Sequence, residues 1–188
     1  MNFCSECGKT VVHRVPDGDN LPRFICENCD TIHYQNPKLV VGSLPVWNKQ
    51  VLLCKRAIEP CYGLWTLPAG FMENQESLEE AALRESTEEA NANLEIDNIY
   101  SITSLPHINQ IYVIYRAKLL DLDFYAGPES LEVRLFNEDE IPWEQLAFKT
   151  IEKTLQHFYE DRKQGVFPVH NTVVSKRNRL GEAKDIIR

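Results

Sequence analysis

The chain has 188 residues, of which 43% are apolar and 26% charged, an ordinary globular composition with room for one medium domain and something small. This excludes a disordered tail, a collagen-like fibre and a disulfide mini-protein. Twenty Lys and Arg against 28 Asp and Glu give a net charge of −8, which argues against a protein whose main task is to hold a nucleic-acid backbone. The acid is concentrated: residues 1–36 carry three basic and five acidic side chains, residues 37–165 twelve and 21, and residues 166–188 five and two. No run approaches the roughly 18 consecutive apolar residues of a membrane span. The start, Met1-Asn2-Phe3-Cys4, lacks a basic region followed by an apolar one. An unexported, cytoplasmic chain with reduced thiols is expected.

Residues 1–36 hold two Cys-x-x-Cys pairs, Cys4/Cys7 and Cys26/Cys29, separated by 18 residues that include Pro16, Asp17, Gly18, Asp19 and Asn20. The segment is turn-rich and cannot build a hydrophobic core alone. Two residues between paired cysteines let one tight turn present both thiolates to a single ion, so the four are read as ligands of a structural Zn2+. The pattern resembles a zinc ribbon. With Lys9, Arg14 and Arg23 against five acids it forms no basic patch. Cys54 and Cys61 fit no ligand pattern and are read as buried or incidental thiols.

From Pro37 the texture changes. Lys38 to Trp47 and Gln50 to Arg56 are β-rich runs joined by Asn48-Lys49, a hairpin signal. Ser77-Leu78-Glu79-Glu80 has the form of a capping box, which predicts a helix from there to about Ala90. Leu94 to Ser104, Ile108 to Leu120 and Leu131 to Phe136 read as strands, Gly127-Pro128 breaking the last pair, and Leu146 to Gln164 has helical spacing. The class is α/β or α+β. Residues 166–188 read as a loosely structured basic tail containing Lys176, Arg177, Arg179, Lys184 and Arg188.

Eight glutamates and one arginine lie between Glu73 and Glu95. At about 100° per residue, Glu89 falls about 40° to one side of Glu85 and Glu88 about 60° to the other, so the three share a helix face. Arg84 is four residues before Glu88 and can pair with it, leaving Glu85 and Glu89 for a common ligand. Hard oxygen donors on one face suit Mg2+ (or Mn2+) rather than zinc. Gly70, then Glu76, then Arg84-Glu85, then Glu88-Glu89 reproduces the Nudix box, and residues 37–165 resemble a Nudix hydrolase domain. Two positions depart from the family pattern. Ser86 stands where an apolar residue is usual, and Asn91 stands where glycine is usual, although Asn tolerates the left-handed conformation of a helix end.

The resemblance implies an α/β/α sandwich with a mixed sheet, preceded by the ribbon, and hydrolysis of a nucleoside diphosphate linked to another moiety. It implies that Glu85 and Glu89 bind Mg2+, with Glu88 as a further or bridging ligand and the Ala69 carbonyl completing the site. Arg84 would orient Glu88, and Glu76 would support the box. A glutamate outside the box serves related enzymes as ligand or base; here Glu129 is the first choice and Glu132 the second.

Runs such as Tyr34-Gln35-Asn36-Pro37-Lys38, Gly63-Leu64-Trp65-Thr66-Leu67-Pro68-Ala69-Gly70 and Gly127-Pro128-Glu129-Ser130-Leu131-Glu132 are similar to the plant chloroplast FAD pyrophosphatase group and its bacterial relatives. That similarity implies FAD (to FMN and AMP) or ADP-ribose (to AMP and ribose 5-phosphate) as substrate, in a homodimer; the charge and the missing apolar run leave neither nucleic acid nor membrane as an expected partner. Arg56 offers paired donors for phosphate. Trp65, Tyr62, Phe71, Tyr112 and Tyr115 offer flat surfaces for a ring, and His107 is a further contact candidate. NADH or oxidised-nucleotide pyrophosphatase activity, or a non-catalytic nucleotide-sensing regulator, are the alternatives; Ser104 to Tyr112 lacks the NADH pyrophosphatase signature.

Overall fold

The turn-rich N-terminal segment forms three short antiparallel strands, β1 (Val12–Arg14), β2 (Arg23–Ile25) and β3 (Ile32–His33), hydrogen-bonded in that order. The computed structural model describes residues 1–175, and the chain divides into two units, Met1–Pro37 and Lys38 onward. In the first unit Cys4, Pro16, Ile25 and Cys26 are the buried side chains, while Phe3, Leu21 and Tyr34 are exposed. So little apolar burial leaves the thiol cluster as the cross-link of this fold.

The second unit is built on β4 (Lys38–Trp47), β5 (Gln50–Arg56), β6 (Trp65–Thr66), β7 (Ala69–Phe71), helix α1 (Leu78–Ala90), β8 (Leu94–Leu105), β9 (Gln110–Leu119), β10 (Ser130–Phe136), helix α2 (Lys149–Gln164) and β11 (His170–Val173). The sheet runs β10-β5-β4-β9-β8-β11, with β6 on β5 and β7 on β4. Pairings β4 with β9 and β8 with β11 are parallel and the others antiparallel, so the sheet is mixed. The β4–β5 connection is the two-residue turn Asn48-Lys49, with Asn48 at φ 55°. Positive φ is what such a tight hairpin demands and what Asn accepts at little cost.

Alternate residues on the central strands face opposite layers. Leu44, Val51, Leu53 and Ile114 join Ile151, Leu155 and Phe158 of α2, whereas Val41, Val113 and Tyr115 meet Ala81 and Ala82 of α1. Burial on both faces explains why β4 and β5 read as nearly unbroken apolar runs. The α1 contact is made of small residues. Ser86, which departs from the apolar family pattern, is fully buried there: its hydroxyl donates to the Ala82 carbonyl (2.6 Å) and accepts from Ser43 Oγ on β4 (2.7 Å). A polar pair that satisfies itself replaces an apolar contact at little cost.

Three expectations change. Helix α2 starts at Lys149 rather than Leu146, because Leu146 is extended and bridges to Trp65. A 3-10 turn, Pro106–Ile108, delays β9 to Gln110. Residues 166–175 are also not loose throughout, because β11 adds to the sheet edge beside Ser101–Ser104. Tyr100 and Asp161 anchor it through His170, a long-range contact that no local pattern displays. The expected basic residues Lys176, Arg177, Arg179, Lys184 and Arg188 lie outside the described residues. The Ser43–Ser86 pair yields a double-mutant test by urea unfolding. Ser86→Ala strands the Ser43 hydroxyl and should cost about 1–3 kcal/mol, while Ser43→Ala, which leaves Ser86 bonded to Ala82, should cost less. The double variant should cost less than the sum.

Candidate active site and metal centre

In the first unit the four cysteine sulfurs lie within 4.8 Å of one another, with Cys7 and Cys26 3.4 Å apart and Cys4 and Cys29 3.7 Å apart. Four thiolates at about 2.3 Å from one tetrahedral ion stand about 3.8 Å from each other, so the donor set fits zinc in type, number and spacing. The thiols are free rather than paired as disulfides. Surrounding donors complete the nest: the Glu6 backbone N–H points to Cys4 Sγ (3.4 Å) and Asn28 Nδ2 to Cys7 Sγ (3.7 Å). His33 Nε2 lies 3.3 Å from Cys4 Sγ, a neighbour the Cys-x-x-Cys pattern did not signal.

In the second unit α1 starts on a complete capping box. Ser77 Oγ accepts from Glu80 N–H (3.2 Å) and Glu80 accepts from Ser77 N–H (2.7 Å). It ends at Asn91 in the left-handed conformation (φ 47°, ψ 33°), as expected for that substitution of glycine. Between these ends Glu85 and Glu89 are buried and Glu88 is exposed.

Arg84 is shared differently from the local expectation. Its Nε and Nη2 grip both oxygens of Glu76 (2.9 and 2.8 Å), Nη1 donates to Glu85 (2.7 Å), and the Glu88 contact is the longer one at 3.1 Å. Nη2 also donates to the Phe71 carbonyl (3.2 Å). The arginine therefore ties the β7 loop to α1, and its bidentate partner is Glu76. This grip, with the Glu73 N–H, pulls the Glu76 carboxyl down to about 2.

Glu85 and Glu89 behave oppositely. Burial pushes both up, and Glu89, facing also the charges of Glu85 and Glu129, rises to about 8 despite the opposing Arg56. Hard oxygen donors buried side by side with excess negative charge fit a divalent cation such as Mg2+ or Mn2+. Gly70 lies so close to this pair that a side chain there would occupy the space of the Glu85 carboxylate. Gly127 is pressed against the last turn of α1, where its N–H donates to the Glu89 carbonyl (3.0 Å), and this contact seats the following Glu129.

A cavity of about 1250 Å³ opens over these groups. Ala69, Arg84, Glu85, Glu88, Glu89 and Glu129 line one part, and Arg56, Phe71 and Tyr112 also reach it. Arg56 is held by its Nε bond to the Pro60 carbonyl (2.9 Å) and by the Phe148 ring 5.2 Å away. Phe71 is half exposed at the rim, and burial raises the Tyr112 hydroxyl.

Other expected residues stand elsewhere. Trp65 is a core side chain, packed edge-on against Phe136 with ring centres 4.8 Å apart, because pairing of β6 with β5 turns its indole inward. Glu132 is exposed on β10 beside Lys55 and does not line the cavity. Tyr115 is buried under α1, and Tyr62 is exposed outside the cavity lining. Cys54 is fully buried with its thiol pushed up, while Cys61 is half-buried with Sγ 3.5 Å from the Ala147 carbonyl.

Lys149, Thr150 and Gln156 of α2, and Val174 and Ser175 after β11, were not singled out from the sequence yet line the same cavity. The polar side of the α2 pattern was the available signal for the first three. In the metal-free protein the folded state holds a proton on Glu89 that the unfolded chain, with an ordinary carboxyl near 4.5, has released by pH 7. Stability from this group is therefore lost as pH rises between about 4.5 and 8. Glu89→Gln in chelator-treated protein should raise the melting temperature at pH 8 and give no gain at pH 5, as read by calorimetry.

Comparison with known proteins identifies the family. Family models described as "Nudix N-terminal" and "NUDIX domain" match residues 2–35 and 36–161. An ADP-ribose pyrophosphatase of Methanocaldococcus jannaschii is 28% identical over 121 residues, 61% of this chain and 69% of that protein. An NAD-capped RNA hydrolase NudC of Vibrio vulnificus is 28% identical over 175 residues; the match covers 86% of this chain and 62%, less than two thirds, of that relative. The crystal structure of a NUDIX hydrolase from Nitrosomonas europaea is 57% identical, covers 94% of this chain and 100% of that chain, and superposes with a TM-score of 0.89. Matched over more than half its length by the domain model, and carrying the N-terminal ribbon, the chain belongs to the Nudix hydrolase family.

Proposed function

We propose that the protein hydrolyses the pyrophosphate bond of ADP-ribose or FAD, with Mg2+ or Mn2+ at the α1 glutamates and a structural Zn2+ at the four cysteines. The observation that carries this reading is the convergence of Glu85, Glu88, Glu89 and Glu129 with Arg56 in one cavity. When bound, the divalent ion neutralises the pyrophosphate and lowers the pKa of the attacking water. Glu85 and Glu89 would hold it, with Glu88 and the Ala69 carbonyl as further ligands. Arg84, gripped by Glu76, fixes the Glu85 carboxylate rather than only Glu88. Glu129, close enough to raise the Glu89 carboxyl, is the favoured acceptor of the water's proton; Glu132, outside the cavity, is the weaker choice. Arg56 presents its guanidinium to the phosphates, and Phe71 and Tyr112 flank the organic groups.

A second reading has its own support. The match to the Vibrio vulnificus relative covers 86% of this chain, so NAD+ and NAD-capped RNA belong among the candidates. The proposal includes a cytoplasmic homodimer, because a four-thiolate site needs reducing surroundings and the resembling ADP-ribose enzymes pair.

A panel of ADP-ribose, FAD, NADH, NAD-capped RNA and oxidised dGTP, assayed with Mg2+ and then Mn2+, tests the reading. AMP should appear from ADP-ribose and FAD, and no turnover of any substrate would leave the nucleotide-sensing alternative. Glu85→Gln should reduce kcat by more than about a hundredfold, beyond the usual cost of losing an indirect partner of a metal. Arg56→Lys, which keeps the charge but loses the fork, should act mainly on KM. Metal analysis should return one zinc per chain, lost in Cys26→Ser.

A further inference from the structure

Away from the glutamates the cavity has another end, built from parts that the reaction does not use. β8 finishes at Leu105 and the turn Pro106–Ile108 follows. Beside it returns the chain from α2: β11 pairs with Ser101–Ser104, and the Val174 N–H donates to the Ser104 carbonyl (2.9 Å). Val174 and Ser175 thus lie at the end of β8 and line the cavity with Leu105, His107, Ile108 and Gln156. Aliphatic surface edged by hydroxyl, imidazole and amide groups suits a flat heteroaromatic ring with hydrogen-bonding edges. Under the pyrophosphatase reading the phosphates belong at the acidic end, where Arg56 and a bound cation would meet them. At about 1250 Å³ the cavity exceeds the roughly 300–1,000 Å³ of most small-ligand sites, a volume ample for both halves of a dinucleotide.

This short strap is fastened by buried polar contacts. Asp161, in the last turn of α2 and buried, accepts from Tyr100 Oη (2.6 Å) and is bonded to His170 Nε2 (2.7 Å). The His170 ring stacks on His157 with centres 3.9 Å apart and planes within 11°. The Thr172 and Thr103 hydroxyls meet at 2.9 Å. A four-residue edge strand has little backbone bonding of its own to resist fraying, whereas a buried carboxylate with two donors is a firm anchor.

We infer that Val174 and Ser175, carried to the cavity by β11, form the wall that receives the heteroaromatic ring of the substrate, with His170, itself outside the lining, as the positioning residue that fixes this wall. The inference rests on the pyrophosphatase reading above. The test uses the full chain and compares wild type with Val174→Asp, His170→Phe and His170→Gln. It measures kcat and KM for ADP-ribose and FAD, and inhibition by AMP, FMN and ribose 5-phosphate.

Val174→Asp and His170→Phe should raise KM about tenfold, with kcat within about twofold. Inhibition by a ring-bearing product should weaken in parallel, and inhibition by ribose 5-phosphate should stay unchanged. Weakened AMP inhibition assigns the wall to adenine, and weakened FMN inhibition assigns it to flavin. His170→Gln, which keeps a donor for Asp161, should restore KM; a purely structural role would not produce this split and rescue. Unchanged KM and inhibition in both disruptive variants, or equal weakening of ribose 5-phosphate, overturns the inference. If wild type cleaves neither substrate, the pyrophosphatase reading fails instead, and calorimetric binding of AMP against ribose 5-phosphate to the same variants still decides the wall.

Discussion

Two carboxylates buried side by side, Glu85 and Glu89, set the terms for the catalytic unit. Like charges in a desolvated place repel and favour protonation, so a helix presenting them toward a sheet is held by everything around it. Small residues, Ala81, Ala82, Ser86 and Ala90, let α1 approach β4 and β9 closely. Arg84 answers one negative charge and, through Glu76, ties down the loop in front of the helix. With Glu88 and Glu129 lining the same cavity, more acid remains than Arg84 answers, and a divalent ion is the chemical complement of that excess.

The same closeness governs the neighbouring backbone. Gly70 approaches Glu85 where a β-carbon would not fit, and Gly127 presses on the carbonyl of Glu88. Through Gly127 the loop bearing Glu129 is hung from the end of α1 itself rather than from the sheet alone. Movement of the helix would carry Glu85 and Glu89, the proposed metal ligands, together with the loop that bears Glu129, the proposed base.

Local features were legible in the sequence. The capping box, the Asn91 end and the Asn48-Lys49 hairpin depend on a few adjacent residues, and each forms where its pattern stands. The box spacing likewise puts Glu85, Glu88 and Glu89 at one cavity. Features decided by distant partners were not legible. Spacing along the helix favoured Glu88 for Arg84; that contact forms at 3.1 Å, but a loop residue eight positions earlier takes the bidentate Nε and Nη2 edge. Trp65 sits on a two-residue strand, too short to show which face is inward. β11 has no apolar period, and its place is fixed by Asp161 and Tyr100.

β11 also has a consequence for solubility during synthesis. Until His170–Val173 is laid down, Ser101–Ser104 of β8 is an open sheet edge with unpaired backbone donors and acceptors. Such an edge is a template for strands of other chains. The strand that covers it, itself a short edge of four residues, follows α2, which supplies Asp161, so a nascent or clipped chain ending before residue 170 would leave this stretch of β8 uncovered.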